Sequence, residues 1–237
     1  MTDNPSLPPP LPEPAPQQEL LRSLGSLLRG LSLLFWGIPA ALVLCVQTAQ
    51  TEFLRLFGIM PPLLSTALVL YGLVLIGRFR PGETVWITAV ERARLLALVN
   101  MGLSPFAYWW SRIPANAFFT AAVEAMALCG LLFLLAIGPV LRRLTAMLPD
   151  EVLRHETVVF TRMNTLLLSG TLALVAAMIA LHHLRWPLMP SDRVSMILER
   201  LGHWGIWFLI LLSTAMTMAL LWKTKEVIFH SVFGGKT

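Results

Sequence analysis

The chain has 237 residues, of which 56% are hydrophobic and 13% charged, with a formal net charge of +5 and a mean hydropathy of +0.71. Soluble domains carry about 25% charged residues, so this composition excludes an ordinary water-soluble globule and leaves no length for a large soluble domain beside membrane spans. The positive charge is not a nucleic-acid signature, because the basic residues fall mostly between apolar runs, where positive loops and headgroup contacts are expected.

Residues 1–17 contain seven prolines and no base. They read as a solvated, partly polyproline tail and not as the n-region of a secretory signal. From Gln18 the leucines Leu20, Leu21, Leu24, Leu27, Leu28 and Leu31 fall on one helical face, with Arg22 and Arg29 on another. This predicts a surface helix leading into the first span.

Four uncharged windows of 22 residues follow at 30–51, 56–77, 163–184 and 201–222. Each is close to the ~20 residues that cross a bilayer. A fifth, longer stretch runs over 113–141 and contains one charged residue, Glu124. Trp36, Trp204, Trp207 and Trp222 lie near window ends, where interfacial aromatics are expected. The predicted architecture is an all-α polytopic membrane protein. Its single helical domain covers 18–229 with five transmembrane helices, and a short basic tail follows at 230–237.

The segment 84–112 admits two readings. Trp86, Val90, Ala93, Ala97 and Met101 repeat at helical intervals, opposite Thr84, Thr88, Glu91 and Arg92. That pattern predicts an amphipathic helix ending near Gly102, followed by an aromatic piece from Ser104-Pro105, the whole forming an elbow at the membrane surface. Around Glu91-Arg92 and Ser104-Pro105, over about 15 residues, it resembles the amphipathic segment of ABC-2-type permease subunits, too short a match to place the chain in that family. The alternative makes 95–111 a sixth span of about 25 Å. Charge counting favours it: six spans put thirteen of the 18 basic residues on one side, whereas five spans divide them ten to eight. The elbow is the primary expectation, because its helical pattern is explicit.

Further along, Pro149, Asp150 and Glu151 signal a helix start. Residues 185–200 read as a connector and a short surface helix, with Ser191 as its N-cap. The two cysteines, Cys45 and Cys129, lie in apolar runs without metal-ligand spacing and read as small apolar residues. Fifteen of the 18 basic residues are Arg. With abundant Leu and Ala, this fits a GC-rich bacterial genome and a cytoplasmic (inner) membrane.

Glu124 is the residue of most functional interest. It lies roughly 18 Å from Arg112 and 27 Å from Arg142 along an ideal helix axis. At such depth an ionised carboxylate costs at least ~2.5 kcal/mol. Asn116, Thr120 and Glu124 are spaced by four and form a polar face, beside a stripe of Ala121, Ala125 and Cys129. No other span holds a Lys or Arg. The expected in-chain partners are therefore hydroxyls: Ser65, Thr66, Ser169, Thr171, Ser213, Thr214 or Thr217. A partner subunit is the other source of a contact.

His182 and His183 end the fourth window and His203 opens the fifth. Headgroup-facing side chains are the ordinary reading, and a metal or haem site the exceptional one. The C-terminal FGGKT lacks the first glycine of a phosphate loop, and HExxH and GxSxG are absent. No cofactor, metal or catalytic residue is expected, and the expected partner is the lipid bilayer, with a membrane subunit at Glu124 as a further candidate and no nucleic acid. The sequence points to a non-catalytic subunit or scaffold of a membrane complex, the alternative being a permease or an ion- or proton-conducting component that uses Glu124.

Overall fold

The computed structural model describes residues 16–51, 56–79, 83–146, 151–184 and 193–233. These residues form six helices: α1 (Pro16–Gln50), α2 (Met60–Gly77), α3 (Thr84–Arg112), α4 (Ala117–Ala146), α5 (Glu151–Leu184) and α6 (Arg193–Phe233). Five contain stretches long and apolar enough to cross a membrane: Arg22–Gln50, Met60–Gly77, Ala117–Ala146, Thr157–Ala180 and Trp204–Phe229. They overlap the five windows legible in the sequence. Residues 1–15 of the expected Pro-rich tail and the Ser191 cap lie outside the described residues, while Pro16 and Gln17 open α1.

The helix starts follow local chemistry. Gly58 has φ +60, a left-handed conformation that glycine adopts without strain, and turns the chain into α2. Pro61 and Pro62 then occupy the first positions of α2, where a missing N–H costs nothing.

α1 and α2 make the most extensive contact in the bundle. They cross at a pair of glycines. A methyl group on Gly30 would lie 2.7 Å from Ile76 Cγ1 and 2.8 Å from the Gly72 carbonyl oxygen. Only a glycine admits that approach. Leu27, Leu31, Leu34 and Ile38 flank the crossing and belong to one buried cluster with Val69, Leu73 and Ile76 of α2.

The expected N-terminal surface helix is not a separate element but continuous with the first span. α1 is one helix of 35 residues, and Leu27 and Leu31 of its early leucine face are only 1% exposed. α6 needs the same correction. The short helix expected before the fifth span is continuous with it, in a single helix of 41 residues.

The break expected inside the 84–112 elbow is corrected most. α3 is one unbroken helix of 29 residues containing Pro105. Pro105 has no N–H to give to the Met101 carbonyl. The Ser104 hydroxyl donates to that carbonyl instead, at 2.8 Å, so the expected break at Gly102–Pro105 is bridged. Thr66 Oγ1 of α2 lies 3.3 Å from Ser104 Oγ and ties the point to its neighbour.

α3 also runs antiparallel along α4 from end to end. Near the connecting turn, Trp109 stacks on Phe119 and Trp110 Nε1 donates to Thr120 Oγ1 at 3.2 Å. At the other end, Thr88, Arg92, Leu95 and Leu96 share a groove with Leu135, Ala136, Pro139 and Arg142. The apolar stripe read from the sequence is real: Trp86, Val90, Ala93 and Ala97 are all buried. Its face is covered by protein, because α3 packs on α2 and α4 as well as touching α1.

α5 and α6 meet along a polar seam. On α5, Thr157, Thr161, Asn164, Leu168 and Thr171 are buried at intervals of four, three, four and three. On α6, Thr214, Thr217, Leu221, Thr224 and Ile228 are buried at three, four, three and four. The 3.5-residue repeat is that of a coiled-coil seam. Asn164 Nδ2 donates across it to Thr217 Oγ1 at 3.0 Å.

Candidate functional site

The candidate site begins where α4 begins. Pro114 disfavours continued helix at Ile113, whose φ is −133 and ψ 67, and the chain turns over 113–116. Asn116 caps α4: its Oδ1 accepts from the Phe118 N–H at 2.9 Å. Asn116 is thus the exposed cap of α4 and precedes its first helical residue. Thr120 sits one turn on. Its N–H donates to the Asn116 carbonyl at 3.2 Å, and its hydroxyl receives the Trp110 N–H.

Glu124 follows as the eighth residue of α4, about 11 Å from the helix start. It is therefore nearer the start of its helix than the 29-residue stretch implied, because the first four residues of that stretch form the turn. Its partner is His183 at the end of α5. The Nε2···Oε2 distance is 2.8 Å. A neutral imidazole can donate its Nε2–H to the carboxylate, or a carboxylic O–H can donate to bare Nε2. Either arrangement satisfies a group that is costly to leave unpaired in hydrocarbon. The side chains are 21% and 55% exposed for Glu124 and His183 respectively, so the contact lies at the rim of the bundle.

Two features singled out separately in the sequence thus meet in space. The expected hydroxyl partners are engaged elsewhere. Thr66, Ser169, Thr171 and Thr214 each donate to a carbonyl one turn back in their own helix, and Thr217 does so while accepting from Asn164. Ser65 likewise bonds the Pro62 carbonyl. Buried Ser213 Oγ has no partner among the described residues, nor do Thr161 Oγ1 and Asn164 Oδ1 beside it on the α5–α6 seam. The side chains of His182 and His203 lie outside the described residues. Among the described residues, no group of three or more His, Cys, Asp or Glu is arranged to hold a metal ion.

A cavity of about 460 Å³ lies among all six helices. Its wall is apolar, from Ile38, Val69, Leu131, Phe133, Leu134 and Ile210 among others. Cys45, Gln50, Thr66, Asn100, Trp110, Trp207 and Thr214 are its lining residues with polar side-chain atoms. Among the described residues, no acidic or basic one lines it. On α4 the neighbours Val123, Met126 and Ala127 face the cavity, whereas Glu124 points past it toward α5. Sequence inspection missed this cavity, because its lining comes from six separate helices at irregular intervals. No protein-family model, curated protein sequence or solved structure matches the chain.

Proposed function

We propose that the chain is a non-catalytic subunit or scaffold of a membrane complex, contacting its partner through the outward face of α5. One observation carries this reading. Over its second half, the exposed side of α5 presents Ser169, Gly170, Ala173, Ala176, Ala177 and Ala180. No other described helix covers that face. Lipid contact makes no demand for small side chains, whereas close approach of two helices does. The rival reading, conduction of ions or protons through Glu124, draws no support from the cavity, whose lining among the described residues holds no ionisable carboxylate, imidazole, ammonium or guanidinium group.

The same reading includes topology. We infer six crossings of a bacterial cytoplasmic membrane, with α3 as the third. The support is its antiparallel course beside α4, and its outward face beyond Arg94: Leu95, Leu98, Val99 and Trp109 are exposed and apolar, while Glu91, Arg92 and Arg94 precede them. Six crossings gather thirteen of the 18 basic residues at the end where α3 begins, which is then the cytoplasmic end.

Purification in mild detergent tests the function. A stoichiometric co-purifying chain, lost on replacing Ala173 and Ala177 by Leu, is the expected result. A monomer that is indifferent to both changes and supports flux in vesicles would sink the subunit reading in favour of a permease.

A further inference from the structure

The groove between α3 and α4 has a chemistry of its own. It encloses about 770 Å³, within the range of small-molecule sites. Its outer part is cationic: Arg92 comes from α3, Arg142 and Arg143 from the last turns of α4. Among the described residues no carboxylate lies within ion-pair distance of these three guanidiniums. Its inner part is apolar, walled by Leu95, Leu96, Leu135 and Ala136. From Arg142 back to Leu135 is seven residues of helix, so roughly 10 Å separates the two chemistries along the bundle axis.

We propose that this groove binds an anionic phospholipid, with phosphate on Arg92, Arg142 and Arg143 and acyl chain against Leu95, Leu96, Leu135 and Ala136. Charge complementarity argues for the anion: three guanidiniums from two helices line one groove with no described carboxylate in ion-pair reach, and guanidinium pairs phosphate oxygens in bidentate geometry. The apolar inner wall argues for a lipid over a free anion, which would have no use for it. The position argues likewise. On the six-crossing topology proposed above, the groove opens at the cytoplasmic leaflet, where anionic lipids collect against basic segments.

Native mass spectrometry of the detergent-purified full-length chain provides the test, with phosphatidylglycerol titrated against phosphatidylcholine of the same acyl chains. Wild type is expected to hold phosphatidylglycerol at least about tenfold more tightly. R92Q/R142Q/R143Q should lower that affinity to the phosphatidylcholine level. A136W, which fills the acyl seat without touching charge, should also weaken it about tenfold. R112Q, at the opposite end of α3, should leave it unchanged. The single variants R92Q and R143Q carry the same readout in smaller steps, so a folding failure of the triple variant leaves the test standing. Equal retention of the two lipids by wild type would overturn the proposal. So would full displacement by millimolar inorganic phosphate together with an inert A136W, which would mark a bare anion site. Arginine-dependent binding that A136W leaves intact would assign the lipid to the open surface and overturn the groove. Failure of the subunit reading would touch none of these outcomes, since they require no partner chain.

Discussion

Ser104 shows how a single hydroxyl changes the course of a helix. It stands directly before Pro105, and its donation to the Met101 carbonyl replaces the bond that proline cannot make. Ser104 is fully buried and reached by Thr66 from α2, so Ser104→Ala should leave a buried carbonyl short of its donor and lower stability by about 1–3 kcal/mol. Thermal unfolding in detergent measures this, and Ser104→Thr, which keeps the hydroxyl, should recover part of the loss. Glu124 and His183 obey the same logic at the rim. Glu124→Gln keeps an acceptor for the imidazole and should be close to neutral. Glu124→Leu and His183→Leu should each cost about 1 kcal/mol, and the double variant no more than either single one. Additive losses would mean that the two side chains act independently. The sequence made Glu124 conspicuous but hid its partner. His183 sits 59 positions away, and only the antiparallel register of α4 and α5 brings it level with the acid.

The helices themselves were largely legible, and their joints were not. Apolar windows report where a helix can sit in lipid. They do not report whether it continues beyond, which is why α1 and α6 each absorbed a segment expected to be separate. The stripe from Trp86 to Ala97 was identified correctly as an apolar face, but periodicity cannot tell a face turned to lipid from one turned to another helix. Packing supplies that distinction, and glycines make it testable. At Gly30 an added methyl meets the backbone of α2, so Gly30→Ala should destabilise by about 1–3 kcal/mol through overpacking. Gly25, one and a half turns earlier in the same helix, has nothing within 4 Å of such a methyl. Gly25→Ala should therefore be stabilising by up to about 1 kcal/mol, as a helical alanine normally is. Equal effects at both positions would contradict the close crossing of α1 and α2.

At the scale of the whole molecule, topology is the property that charge and packing decide together. With native Cys45 and Cys129 replaced by Ala, single cysteines introduced at Glu83 and at Ala115 flank α3 on its two sides. Membrane-impermeant thiol reagents should reach them from opposite faces of the membrane, and labelling from one face would restore the surface elbow. On the six-crossing topology proposed above, the turn of residues 113–116 shapes how the protein is made. The apolar part of α3 is short, and the helix carries Glu91, Arg92 and Arg94 at its leading end, so on leaving the ribosome it is a poor candidate for the translocon by itself. α4 emerges directly behind it, 30 residues long and apolar over most of its length. The two should therefore partition into lipid as a hairpin, with α3 waiting outside until α4 has been synthesised. Nascent chains stalled just after residue 116 should leave Ala115 on the cytoplasmic side. Chains long enough to expose α4 should carry it across in one cooperative step.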